Sequence, residues 1–308
     1  MPSIDAKLGD ILDSIEIGGR TRTYRLHIPP HIESEKIYPL IFVLHGGGRN
    51  AWNAHRVTRF SRAADANGFI VCYPEGTGSE RFRLTWNAGY CCGYASDNKV
   101  DDVAFFEALV SLFKLTLRID SRAIYVAGIS NGGMMALRLA IEMSDTFAAV
   151  ASVAGAQPPL DTEPLEPINI LLIHGTDDVY VPYDGGIGVK GSRSNVYHAS
   201  VSETVRYWVR YNGCNPDPKC EVQIEQGTHI GIGRLSISDE LNNGEFPTVV
   251  CERFTNGKND TEVRLYTVNG GLHAWPGGAR GWRDGDEPLQ SFDATETICN
   301  YFKVKNNL

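Results

Sequence analysis

No apolar run in this sequence approaches the roughly 18 residues that a membrane-spanning helix needs, so a helical membrane protein is excluded. Basic clusters are missing as well. Lysine and arginine are scattered singly and the formal net charge is -8, which excludes the concentrated basic face that nucleic-acid binding requires. The opening residues, MPSIDAKLGD, lack the basic and apolar regions of a signal peptide. That pattern is expected of a cytoplasmic protein, or of one whose leader has been removed. Internal repeats, low-complexity tracts and clear linkers are also absent. The seven cysteines follow no zinc-ligand spacing, so no metal is expected.

What is present suits one large core. Of 308 residues, 42% are hydrophobic and 21% charged, the balance of a globular chain. A single domain is expected over 1–308, with residues 1–20 as an N-terminal arm. Residues 212–261, polar and rich in Gly and Asn, read as an insertion or hairpin. Cys72 and Cys299 lie in apolar segments and read as core residues. The adjacent Cys91 and Cys92 read as two thiols, and one disulfide is expected among Cys214, Cys220 and Cys251. Oligomeric state is not legible.

Apolar runs alternate with helical patterns, which predicts a mostly parallel sheet covered by helices on both faces, an α/β class. Strands are expected at 24–28, 40–45, 69–73, 123–127, 148–153, 168–174 and 262–268. Helices are expected at 98–117, where Val103, Phe106, Val110, Phe113 and Leu117 recur every three or four residues, and at 132–143, 200–211 and 291–302. Asp97, Asp101 and Asp102 stand where acidic side chains favour the first helix's start.

Four strand ends carry chemistry. Gly128-Ile129-Ser130-Asn131-Gly132 is a G-x-S-x-G pattern between a strand and a helix, the context of a nucleophile elbow. An earlier strand runs into His45-Gly46-Gly47-Gly48. A glycine N–H there, from Gly47 or Gly46, can join the Asn131 N–H in an oxyanion hole. The strand at 168–174 ends in Asp177 and Asp178, and either can serve as the acid by position. The last strand leads through a glycine turn to His273. It is preferred as base over His174, which reads as a turn residue, over His198 at a helix start, and over His229 in the insertion. The chain order Ser, acid, His is that of α/β-hydrolases. Trp52, Trp86, Trp275 and Trp282 lie near these ends, and Trp86, Trp275 and Trp52 are candidates to line a substrate pocket.

With these motifs placed, the sequence resembles the polyhydroxybutyrate depolymerase-like and feruloyl esterase-like enzymes of the α/β-hydrolase type. The resembling segments are 44–48, 86–89 with Cys91-Cys92-Gly93, 100–103, 128–133, HGTDDVYVPY at 174–183 and GGLHAWPGG at 270–278. The resemblance implies Asp178 as the acid, a serine esterase that needs no cofactor, and often secretion or a periplasmic location. A disulfide from Cys214 toward the residues before the last strand would suit it, although Cys251 stands earlier than that pattern. Its implied substrates are feruloyl or other short-acyl esters of plant polysaccharides, small or oligosaccharide in size. Hydroxyalkanoate oligomers and acetylated xylan are the alternatives.

Overall fold

A β-strand buried on both sides needs apolar residues at every position, and Tyr38–Leu44 is such a strand, with all seven residues buried. Because successive side chains point to opposite faces, Leu40, Phe42 and Leu44 enter one core while Ile41 and Val43 enter another. Ile119–Ile129 repeats the division, with Ile124 and Val126 on the first side and Tyr125 and Ala127 on the second. The fold is thus a sheet between two apolar layers.

The computed structural model describes residues 9–33, 35–188, 196–223 and 249–306. Its elements in chain order are β1 (Gly9–Ile17), β2 (Arg20–Ile28), β3 (Tyr38–Leu44), α1 (Ala51–Thr58), α2 (Phe60–Asn67), β4 (Ile70–Pro74), α3 (Gly93–Asp97), α4 (Asp102–Thr116), β5 (Ile119–Ile129) and α5 (Asn131–Glu142). There follow β6 (Ala149–Val153), β7 (Asn169–Gly175), β8 (Gly186–Ile187), β9 (Tyr197–His198), α6 (Val201–Asn212), β10 (Lys219–Gln223), β11 (Val249–Phe254), β12 (Val263–Val268) and α7 (Ala294–Asn306). Among the described residues the main sheet has the order β1-β2-β4-β3-β5-β6-β7-β12-β11-β10. From β4 to β12 every neighbouring pair is parallel, and antiparallel hairpins close both ends. Helices α4, α5 and α6 cover one face, with Phe106, Leu137 and Trp208 fully buried. The other face is covered by α1, α2 and α7 through Val57, Phe60 and Phe302.

Several sequence expectations change. The stretch 1–20 is not a loose arm throughout, because residues 9–17 pair with β2 along their whole length; residues 1–8 lie outside the described residues. The stretch 212–261 contributes two sheet strands, β10 and β11, and residues 224–248, with His229, lie outside the described residues. Helices α1 and α2 were not expected. They are short, and Arg59 at φ 57° breaks what periodicity they share. Asp101 rather than Asp97 caps α4, accepting from the Ala104 N–H, while Asp102 is buried in an ion pair with Arg22 at 2.7 Å.

The cysteine expectations also fail in two places. Cys91 and Cys92 are joined to each other rather than standing as two thiols. Cys214, Cys220 and Cys251 are free. Cys220 faces Glu252 and Cys251 faces Glu221 across β10 and β11, so the pleat turns the two sulfurs to opposite sides of the sheet.

Candidate active site

The parallel strands all deliver their carboxyl ends to the same edge, where ligands of such sheets bind. Ser130 follows β5, Asp178 lies beyond β7, and His273 lies beyond the adjacent β12. Gly46 and Gly47 follow β3, which pairs with β5 on its other side.

Ser130 sits at φ 57°, ψ -125°, a conformation that costs an L-residue of order 1–3 kcal/mol and persists only where the surroundings enforce it. The enforcement here is close backbone packing. A Cβ on Gly128 would lie 2.3 Å from the Gly132 carbonyl oxygen, and one on Gly132 would lie 2.5 Å from that of His45. The Ser130 N–H donates to the Val153 carbonyl, pinning the turn to β6. Helix α5 starts at Asn131, so its first N–H groups have no acceptor within the helix.

The oxyanion loop is held by a buried imidazole. The Gly76 N–H donates to His45 Nε2 at 3.0 Å, so the proton sits on Nδ1, which donates to the Gly46 carbonyl at 2.9 Å. In a trans peptide the C=O and the following N–H point oppositely, so this bond turns the Gly47 N–H away from His45. Gly47 is exposed, whereas Gly46 is buried with its Cα hydrogen toward the Ser130 Cβ. Burial, only partly offset by the Gly46 bond, depresses the His45 pKa to about 4 and keeps the ring neutral. Trp86 packs on that ring at 4.9 Å and donates from Nε1 to the His45 carbonyl. Asn131, itself buried, holds the Trp86 backbone at both ends: its Oδ1 accepts from the Trp86 N–H, and its Nδ2 donates to the Trp86 carbonyl.

On the other side, Asp178 Oδ2 lies 2.7 Å from His273 Nδ1, which donates to it and leaves Nε2 as the free base. Asp178 Oδ1 accepts from the Tyr180 and Val181 N–H groups, and His174 Nε2 lies 3.4 Å from Oδ2 while donating to the Val181 carbonyl. Burial alone would push the Asp178 carboxyl up. The His273 charge and the hydrogen bonds from His174 and His273 outweigh it and hold the acid well below the usual carboxylate range. Asp177 is exposed and, among the described residues, its side chain bonds only its neighbour Thr176, so the geometry separates two acids that position alone did not. The His273 N–H donates to Asp286, and its ring lies 5.0 Å from that of Tyr180.

The tryptophan expectations need correction. Trp86 is 0% and Trp275 1% exposed, so neither lines a pocket. Trp86 is a strut beneath the oxyanion loop, and Trp275 packs on Phe60 and bonds Thr295. Trp52 is 53% exposed but lies on His55 and Arg25, on the β2 side. The aromatic rings beside the base are Tyr180 and Trp282, which meet edge-on. His174 was read as a turn residue and instead braces the acid; its spacing four residues before Asp178 was the available signal. Nothing in the sequence pointed to Asp286.

Among known proteins, the esterase PHB depolymerase family matches residues 22–158. A putative esterase of Nocardia uniformis subsp. tsuyamanensis, NocK, is 34% identical over 284 residues, covering 87% of this chain and 75% of that protein. Feruloyl esterase B of Piromyces equi is 29% identical over 82% of this chain, which spans only 43% of that enzyme. The solved structure of acetyl xylan esterase from Aspergillus awamori superposes with a TM-score of 0.58 at 14% identity, covering 86% of this chain and 94% of the other. The fold is that of the α/β-hydrolases, and the chain belongs to the esterase PHB depolymerase family.

Proposed function

We propose that this chain hydrolyses carboxylic esters through an acyl-enzyme on Ser130, with His273 as general base and Asp178 as its orienting acid. The observation that carries the reading is the 2.7 Å Asp178–His273 bond at the same sheet edge as a serine with φ 57° on a glycine-packed elbow. Ser130 attacks the carbonyl as His273 Nε2 takes its proton. The Gly47 and Asn131 N–H groups receive the developing oxyanion. The imidazolium then protonates the leaving alcohol, and a water activated by the same nitrogen releases the acid. Asp178 stays ionised throughout, because its partners favour the anion.

The substrates we propose are feruloyl or other short-acyl esters of plant polysaccharides. Support comes from relatives named feruloyl esterase, such as that of Piromyces equi. An extracytoplasmic place of work, secreted or periplasmic, belongs to the same reading, since the joined Cys91 and Cys92 suit an oxidising compartment. Among the described residues no helix is long and apolar enough to cross a membrane.

Replacing Ser130 by alanine tests the chemistry. Turnover of p-nitrophenyl acetate is expected to fall by about 10⁴-fold or more while the cooperative melt is retained. Retained turnover would remove Ser130 from the mechanism. Comparing kcat/KM for methyl ferulate, acetylated xylan and hydroxybutyrate oligomers then ranks the substrate classes.

A further inference from the structure

Arg49 ends the glycine run of the oxyanion loop. Its guanidinium stands 4.2 Å over the Trp282 ring. Trp282 meets Tyr180 with centroids 6.2 Å apart, and Tyr180 lies 5.0 Å from His273. One row of side chains therefore runs from the oxyanion loop to the base, with a cation at its far end.

That cation has no counterion among the described residues. Other arginines do: Arg83 faces Glu80, Arg280 pairs with Glu287, and Arg22 with Asp102. Arg49 is half-buried, Nη1 reaches only the Gly48 carbonyl at 3.1 Å, and Nε is buried without a hydrogen-bond partner. The two acids that act on Tyr180 are engaged elsewhere, Asp286 by the His273 N–H and Asp178 by the His273 ring. Burial first, and Arg83 second, weaken the hold of Arg49 on its proton, yet a guanidinium stays charged at working pH. Contact with the Trp282 ring restrains the guanidinium, and among the described residues no acceptor takes up its Nε and Nη2 N–H groups, which suit a planar anion.

We propose that Arg49 is a specificity residue that receives a carboxylate of the substrate, so that this site prefers esters bearing a negative charge to their neutral counterparts. The proposal rests on the catalytic reading above. The shared chemistry is a carboxylate near the scissile bond, on the acyl or the alcohol side. A hydroxyacid oligomer's acid end and a uronic acid substituent both present one.

Two matched pairs of single esters test it in the intact chain. For the alcohol side, 3-acetoxybutyrate is compared with 3-acetoxybutyramide, and for the acyl side monomethyl glutarate with methyl glutaramate. The anion is expected to be favoured by about tenfold in kcat/KM in at least one pair, the worth of one charge-assisted hydrogen bond of roughly 1.4 kcal/mol. Which pair shows it assigns the side. The ratio should shrink at high salt, fall to near unity in Arg49→Gln and be partly kept in Arg49→Lys. A merely structural Arg49 would lower both members of a pair equally and leave the ratio where it was. Wild-type ratios at or below unity in both pairs, or a preference that survives Arg49→Gln, overturn the proposal even if the variant folds poorly, because the wild-type ratio and its salt dependence stand alone. Hydrolysis of the neutral esters in that case leaves the catalytic reading intact, whereas no hydrolysis of any ester removes both.

Discussion

The two halves of the site are held by different forces. Around Ser130 the constraint is steric. Glycines at 128 and 132 let backbones meet at distances no side chain permits, and neutral groups, His45, Trp86 and Asn131, lock the loop beside them. Around His273 the constraint is electrostatic, a buried carboxylate saturated by two N–H groups and two imidazoles. Rigid packing suits the half that must stabilise charge it does not itself carry. A charge network suits the half whose protonation changes in each turnover.

The largest effect expected from breaking this division is Asp178→Asn. It should lower kcat by about 10⁴-fold with the fold retained, because the imidazole loses its orienting anion. Asp177→Asn, on an exposed side chain, is the control and should leave kcat/KM within about twofold. Steady-state kinetics of the two variants decides between the acids, and equal losses would undo the distinction drawn from burial.

Gly132→Ala should strike the steric half. Its Cβ would meet the His45 and Leu44 carbonyl oxygens at 2.5 and 2.7 Å, both backbone atoms that cannot swing away. A loss of about 3 kcal/mol in denaturant unfolding, together with lost activity, is expected. Unchanged stability would show that the elbow has slack.

The legibility of the site divides along the same line. The elbow was readable because steric demands fall on neighbouring residues: Gly128, Ser130 and Gly132 lie within one turn, and the strand and helix flank them. The charge network was legible only in part, since its two halves, 174–181 and 273–286, lie far apart in sequence. Asp178 needed family resemblance, His174 was read as a turn residue, and Asp286, thirteen residues past His273, carried no signal. Strands β3 to β7 and β12 were readable for a related reason. β3, β4, β6 and β7 are buried along almost their whole length, and a continuous apolar run announces that, whereas only the second half of β5 is so buried and β12 mixes buried with half-buried positions. The edge strand β1 has mixed residues and one sheet neighbour, so it left no such trace.

A smaller effect concerns pH. The His45 pKa falls from 6.5 to about 4 on folding, so the unfolded chain takes the proton first. The stability that this neutral ring contributes is fully present above about pH 6.5 and is lost as pH falls toward 4, an amount of roughly 3 kcal/mol. Urea unfolding across that range should show the decline, and His45→Gln should flatten it. A variant as pH-sensitive as the wild type would point to another group. Smallest of all, Trp86→Phe removes the Nε1–H bond to the His45 carbonyl and should cost about 1 kcal/mol. Thermal unfolding measures it, and a loss of several kcal/mol would mean the ring's packing matters more than its bond.

By itself the sequence determined the alternation of strand and helix, the serine turn and the order of the three chemical groups, because each is written in neighbouring residues. The tertiary structure alone decided that Trp86 and Trp275 are buried supports, that Asp286 meets the His273 N–H, and that Arg49 faces Trp282. Those outcomes depend on which side of a strand a residue faces and which distant loop arrives beside it, and neither is encoded locally.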